Sequence, residues 1–467
     1  MFRVGKVFLE EMIFDQNKRG PIKKEEPIMS KQNPFFMTEG IHLNLFSSAA
    51  YVFLLILFLT TMGCSTSNPA DPQDVGITVP PGFKATVFAD NIGRARHLTI
   101  NDNGDVYVAL RLANQGGGIV ALRDEDGDHR ADMITHFGKL IGTGIHIYKN
   151  YLYFGSDTTV VRYLLNPGQL VPEGEPERIA VGFGYETQHA AKPFDFDGEG
   201  NMYVNVGAPA NACQEQMRTP GSPGMDPCPL LEKYGGIWRF DAEGKEQNQM
   251  AEGFRYASGI RHAVAIAWNP LVNQLYVVQH GRDQLSHLFP HLFNDEQNAE
   301  LPAEEFLLIK EGGIYGWPYT YYDQIQGKRV LAPEYGGDGK STERCGPYDD
   351  PIMAFPGHWA PNDLLFYSGD QFPDTYKGGA FVAFHGSWNR APLPQRGFNV
   401  VFVPFDGALP SGPWEVFADG FAGKKVIKSV GEARFRPMGL AVAPDGSLFI
   451  SDSVKGRIWR VHYEGEQ

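Results

Sequence analysis

An all-β fold, a six-bladed β-propeller behind an N-terminal signal or anchor segment, is predicted by three observations in this chain of 467 residues. The first is composition. Gly (54) and Pro (33) together make about 19 % of the chain, against roughly 12 % in average proteins. Such an excess means many turns and few long helices. The second is a repeated unit, a turn followed by an alternating strand: NDNGDVYVAL (101–110), YKNYLYFGS (148–156), DGEGNMYVNVG (197–207), NPLVNQLYVVQHG (269–281), YKGGAFVAFHG (376–386) and APDGSLFISDS (443–453). Each unit sets one large residue at the same point: Tyr107, Tyr153, Tyr203, Tyr276, Phe381 and Phe449. Their spacing of 46 to 105 residues is blade-sized, with an insertion expected in the longest interval, where 284–375 is rich in Pro, Tyr and Gly. The third is continuity. No linker or composition shift divides 80–463, which argues for one closed propeller over a string of β-sandwiches.

The first 63 residues stand apart. Ala49–Leu59 is an uninterrupted apolar run, too short for a comfortable membrane span and suited to an export signal. It ends at Gly63–Cys64 and gives way to a polar stretch, so residues 1–63 read as a targeting segment and 64–79 as a polar linker. The junction resembles a bacterial lipoprotein signal, with Cys64 the lipidated residue; an uncleaved anchor helix is the alternative. Either places the propeller in the cell envelope, lipid-anchored at the outer membrane or periplasmic, or secreted. With 41 basic and 55 acidic side chains the net charge is −14, which excludes a general nucleic-acid binder. Cys213 and Cys228 bracket a loop of Gly, Pro and polar residues, and in an oxidising compartment a disulfide there staples the loop. Asp124, Asp126 and Asp128 in DEDGDHRAD are spaced two apart, as in turns that wrap Ca²⁺, but no EF-hand glutamate follows and a solvated acidic turn is the competing reading.

The segments IVALRDEDGDHRAD (119–132), GIWRFDAEG (236–244), GGIYGWP (312–318), HWAPNDLLFY (358–367) and FHGSWNR (384–390) resemble the soluble glucose/sorbosone dehydrogenase family, its sorbosone branch most closely. Members are six-bladed propellers that use pyrroloquinoline quinone (PQQ) and Ca²⁺, and the similarity spans about residues 80–463. The resemblance implies roles for particular residues. His189 stands where the family has its general base, and oxidising a sugar hydroxyl requires a base for its proton while hydride goes to the quinone. Arg261, in ASGIRHAVAIAWNP, matches the arginine that polarises the quinone, with His262 beside it in place of the usual Asn. In VVQHGRDQL, the backbone carbonyls of Gly281 and Arg282 match a Ca²⁺ site, His280 replaces a cofactor-contacting Gln, and Asp283 is placed to orient His189. Arg434 and Arg436 match an RxR pair; on a strand they face one side and hold the carboxylates of PQQ. Asn389, Arg390 and His146 complete the expected cofactor shell.

The reading that follows is an exported dehydrogenase, dependent on PQQ and Ca²⁺, that oxidises a sugar or aldose-like alcohol and passes electrons to an external cytochrome or quinone. No CxxCH haem motif and no GxGxxG in a βαβ context occurs. A non-enzymatic carbohydrate-binding propeller and a Ca²⁺-dependent propeller lactonase with a His–Asp pair are the alternatives.

Overall fold

The computed structural model describes residues 75–465; the targeting segment, the lipidation candidate Cys64 and most of the 64–79 linker lie outside the described residues. Six sheets, each built on four antiparallel strands and two of them carrying a short parallel fifth strand, follow one another along the chain. Their innermost strands are Ala95–Ile100 (blade 1), Gly142–Tyr148 (blade 2), Phe194–Phe196 (blade 3), Ala265–Asn269 (blade 4), Pro361–Phe366 (blade 5) and Pro437–Val442 (blade 6). Blade 6 takes its outermost strand from the other end of the chain. Phe83–Ala89 pairs with Ile458–Tyr463, with Phe83 opposite Tyr463 and Val87 opposite Trp459. That exchange closes the ring and leaves no unpaired edge between first and last blades.

The six repeated aromatic residues all fall on the second strand of their blades and are 0–4 % exposed. A second strand is covered on both faces by the neighbouring blades, which is why runs such as VYVAL are apolar throughout rather than alternating. Each blade-to-blade interface has its own apolar cluster. Tyr107 and Leu152 pack between blades 1 and 2, Tyr153 and Met202 between 2 and 3, Tyr203 and Leu275 between 3 and 4. Tyr276 and Leu364, Phe381 and Leu440, and Phe449 and Leu98 continue the ring to its start. The tyrosine hydroxyls find acceptors at the periphery, Tyr107 on Leu170 O (2.9 Å) and Tyr276 on Ala408 O (2.8 Å).

Alternation of strand direction sorts the loops. Connections from second to third strands, and from each fourth strand to the next blade, share one face, here the upper face. The expected insertion lies wholly in blade 4. Residues 280–303 carry two short helices, Leu285–Leu288 and Asp295–Glu300, and 310–352 carry the hairpin Thr320–Asp323/Lys328–Leu331. Both pieces fold beside the upper connection of blade 3, where Trp317 Nε1 donates to Asn211 O (3.0 Å). That same connection is crossed by the Cys213–Cys228 disulfide, with Cα atoms 6.2 Å apart and both cysteines buried. Cys345 is a free, half-buried thiol.

Replacing Cys213 and Cys228 together by Ser should lower unfolding stability by about 3 kcal/mol, the loop-entropy contribution of a closure of this length. Denaturant titration of the variant against wild type reads this directly; an unchanged midpoint would mean the loop is held by packing alone.

Candidate functional site

Three imidazoles meet at the centre of the upper face. His189 precedes blade 3, His262 precedes blade 4, and His280 follows the second strand of blade 4. His262 stacks on His189 with centroids 4.6 Å apart and planes at 23°, and meets His280 edge-on at 5.3 Å. Gly207 makes the stack possible. A Cβ at that position would lie 2.6 Å from His262 Nδ1 and 2.8 Å from the His189 Cβ. His189 itself has a φ of +55°, a left-handed conformation that aims its ring inward from a tight turn.

The tautomer of His189 follows from its partner. Nδ1 faces the Ala208 carbonyl at 2.5 Å, which can only accept, so Nδ1 carries the proton and Nε2 keeps its lone pair. Burial, and then the nearby Arg261 charge, push the pKa of His189 down to about 3, so the imidazole is neutral at physiological pH. Burial likewise holds His280 at about 4 and His262 well below its ordinary value. His262 Nδ1 and Asn205 Nδ2 are buried without a protein partner.

Beneath the stack lies Arg261, 3 % exposed. Its Nε donates to Asn211 O (3.1 Å), Nη1 to Gly281 O (3.0 Å), and Nη2 to Asn211 Oδ1 (3.1 Å) and Asp283 Oδ2 (2.9 Å). Four of five donors are thus committed and one Nη1–H is left. Burial alone would raise the Asp283 pKa; Arg261, with Arg218 also bonded to it, overcomes that and holds the carboxyl well below the usual range. Asn211 is a hub that sequence reading missed. It also accepts Asp283 N (2.8 Å) and donates to Asp283 O (2.9 Å), bridging residues 72 apart.

A cationic arc completes the face. Arg436 donates from Nε to His385 O (2.9 Å) and from Nη2 to Gly386 O (2.5 Å). Arg96 donates to Thr143 Oγ1 (3.2 Å), and Lys192 to Ala190 O (2.5 Å). Arg96, Lys192 and Arg436 have no ion-pair partner among the described residues. Burial pushes Arg96 down to about 9, with repulsion from Arg111 and Arg436 adding to it; burial also takes Arg436 to about 10 and Lys192 to about 8. His385, on Ser453 Oγ (2.6 Å), lies beside Arg436 and Arg96 at this centre, and His97, buried and bonded through Nε2 to Asn362 O (2.7 Å), lines the central cavity that continues toward the opposite mouth. No local motif announced His97, and His385 sat inside the FHGSWNR segment without a role being read from it.

Several expected placements are corrected. Asp283 does not orient His189: its carboxylate is taken by the two arginines, and the Ala208 carbonyl does the orienting. His189 and Asp283 therefore do not form a His–Asp pair. Gly281 is not an open Ca²⁺ ligand, since its carbonyl accepts a guanidinium, and a cation on that oxygen does not fit a second one. The Arg282 side chain turns away into a buried pair with Glu334 (2.6 Å). Arg434 and Arg436 lie in the turn before Pro437 rather than on a strand, and they diverge. Arg436 points to the centre, while Arg434 lies over the Phe435 ring near Gly76 and Gly423. Arg390 is 1 % exposed, with its guanidinium on Ala299 O, Gly357 O, Pro394 O and Glu300, and Asn389 Nδ2 sits against His358; both anchor the insertion instead of facing the centre. His146 lines the opposite mouth of the central channel, 3.4 Å from Asp195. Asp124, Asp126 and Asp128 do come together, but on the third-to-fourth connection of blade 1, away from the upper face.

A family model described as TrAA12-like matches residues 77–464. The chain belongs to the TrAA12-like family. A PQQ-dependent pyranose dehydrogenase of Coprinopsis cinerea is 31 % identical over 167 residues, 31 % of this TrAA12-like chain and 22 % of that enzyme. Among solved structures, the holo form of the PQQ domain of pyranose dehydrogenase from Coprinopsis cinerea superposes with a TM-score of 0.65 at 17 % identity, covering 83 % of this chain and 97 % of that one. A calcium structure of a Trichoderma reesei protein of Carbohydrate-Active Enzymes Family AA12 gives 0.68 at 17 % identity, covering 85 % and 99 %. The two share the propeller fold with this TrAA12-like protein.

The buried histidines make stability depend on pH. His97 is held by burial at about 4 against an ordinary 6.5, so between those values only the unfolded chain binds the proton. Its contribution is complete above pH 6.5 and is lost as pH falls toward 4. Between pH 7 and 5, His97→Asn should lose about 2 kcal/mol less unfolding free energy than wild type. Parallel pH profiles in denaturant titrations would contradict this.

Proposed function

We propose that the upper face of the propeller holds PQQ and oxidises a hydroxyl of a sugar or aldose-like alcohol. The observation that carries the reading is a neutral His189, proton fixed on Nδ1 and lone pair on Nε2, on the same face as three cations, Arg96, Lys192 and Arg436, that make no ion pair among the described residues. The donor chemistry fits the cofactor. Arg96, Arg436 and Lys192 suit a tricarboxylate, and the buried His262 Nδ1, in a cradle that a Cβ on Gly207 would fill, suits a polar ligand atom. The relative's name, a PQQ-dependent pyranose dehydrogenase, points the same way. Ca²⁺ at the Gly281 carbonyl is not part of the proposal.

When bound, PQQ supplies a two-electron acceptor for the hydride of the sugar C–H bond. The chain's own work is to position and to move a proton. His189 Nε2 accepts the hydroxyl proton, while the Ala208 carbonyl keeps the ring from turning its protonated nitrogen to the substrate. The remaining Nη1–H of Arg261 donates one hydrogen bond toward developing negative charge. Arg436 and Arg96 hold carboxylates by charge-assisted hydrogen bonds. Electrons leave to an external acceptor, and export with anchoring through Cys64 belongs to the same proposal, resting on the apolar run that ends at Gly63–Cys64.

A PQQ titration of sugar-oxidising activity separates these roles. His189→Ala should leave PQQ affinity nearly unchanged and lower turnover by about 10²–10⁴, the usual contribution of positioned proton transfer. Arg436→Ala should weaken PQQ binding by about 1.5–3 kcal/mol, roughly tenfold to a hundredfold or more, with activity restored by excess cofactor. Arg434→Ala should titrate like wild type. Rescue of the His189 variant by excess PQQ, or a stronger effect at Arg434 than at Arg436, would show the roles to be misassigned.

A further inference from the structure

The central channel widens toward its opposite mouth, on the lower face, into a cavity of about 710 Å³. All six innermost strands contribute to its walls, while His189, Arg261, Lys192 and Arg436 do not line it. That volume is the size of a small organic ligand. Its chemistry is the reverse of the upper face.

Two carboxylates sit deep in the cavity. Asp363, 6 % exposed, accepts Leu364 N (2.9 Å) on one oxygen and Leu440 N (2.8 Å) on the other. Asp195 accepts Phe196 N (2.8 Å) and Trp268 N (2.7 Å) in the same divided way. Their neighbours within ion-pair range among the described residues are imidazoles only, His97 at 3.8 Å from Asp363 and His146 at 3.4 Å from Asp195. Burial therefore pushes both carboxyl pKa values up, with no lysine or arginine to offset it. His97 adds a third acceptor. Its Nε2 faces the Asn362 carbonyl, so the proton lies there and Nδ1 keeps its lone pair. The ring is buried, lines the cavity, and makes no hydrogen bond through Nδ1 among the described residues. At the rim, Asp102 and Asp197 face one cation, Lys149, which is already paired with Glu243.

A concave site with acceptors and no free cation calls for a cationic donor. A bare metal ion does not fit it. Ca²⁺ draws roughly six to eight oxygens around one point. Among the described residues, only Asp124, Asp126 and Asp128 bring three acidic or imidazole groups within 4.8 Å of one another. The walls favour an organic body instead. Leu98, Ile145, Ile266 and Leu440 line them, and the Phe196 ring stacks on Tyr148 at 4.5 Å and 12°. Aromatic faces attract organic cations.

We propose that this cavity binds an organic ammonium ion, a primary amine on an apolar body, whose N–H donors meet the acceptors of Asp195, Asp363 and His97. The site is independent of the cofactor reading, since an anionic cofactor and a cationic ligand belong to opposite mouths.

The probes are phenethylamine, its neutral counterpart 3-phenylpropanol, and calcium chloride, each titrated calorimetrically into the full chain at neutral pH. Phenethylamine should bind saturably, one per chain, with and without PQQ. The alcohol should bind at least about tenfold more weakly, because it lacks the charge-assisted contacts. His146→Lys sets an ammonium of the chain's own beside Asp195 and should weaken phenethylamine binding about tenfold or more. The His146 side chain is 42 % exposed, so this variant spares the core, and its melting temperature checks the fold. Asp363→Asn should weaken binding likewise; if it does not fold, His146→Lys decides alone. No saturable binding in wild type, equal binding of amine and alcohol, or undiminished binding in folded His146→Lys would overturn the proposal. So would calcium that binds wild type, displaces phenethylamine and is lost in His146→Lys, which would make the cavity a metal site. None of these outcomes bears on the upper face, where PQQ binding is read separately.

Discussion

A guanidinium buried at 3 % exposure sets the terms for the whole upper face. Removing a charged arginine from water costs several kcal/mol unless its donors are met with good geometry. Arg261 meets that requirement with Asn211, Gly281 and Asp283, drawn from the upper connections of blades 3 and 4. The consequences spread outward. The Arg261 carbonyl accepts Ala208 N (2.8 Å), and the Ala208 carbonyl in turn fixes the His189 ring. The same neighbourhood carries the Cys213–Cys228 staple two residues beyond Asn211. His189, Arg261 and the disulfide loop are therefore one mechanical unit, and the carbonyl that looked available to a metal is already spent inside it.

The ring supports this unit by making the interior redundant. Six apolar clusters, one per blade interface, fix the blades without any contribution from the axis. The axis is then free to be polar and under strain. Neutral histidines, uncompensated cations and buried polar atoms without partners gather there because the stability of the fold comes from elsewhere. Cations crowded together with lowered pKa values are held in a state that an anionic ligand relieves.

Much of the fold was legible in the sequence because it repeats. Tyr107, Tyr153, Tyr203, Tyr276, Phe381 and Phe449 each mark the same point in a local pattern of turn and strand, and each occupies the same buried position. The closing strand Phe83–Ala89 has no such marker, since it pairs with Ile458–Tyr463 at the other end of the chain. The site was legible only in part. His189, Arg261, His262 and His280 were found because they sit in recognisable segments and converge. Asn211, His97, His385 and Lys192 were not, because their meaning depends on contacts between blades. Arg434 and Arg436 misled for a local reason: period-two reasoning applies to strands, and Pro437 starts the strand only after both. Arg390 misled for a tertiary one. Its charge answers the carbonyls of an insertion whose path the sequence does not reveal.

The central claim is that the histidine and arginine face is a cofactor site and not a polar plug in the axis. The most direct measurement is optical titration of the purified protein with PQQ, followed by addition of sugars. The account predicts saturable binding at one equivalent per chain, weakened by salt as a polyanion contact must be, and bleaching of the bound quinone absorbance when a suitable sugar is added. Absence of saturable binding, or bound quinone that no sugar bleaches, would contradict it.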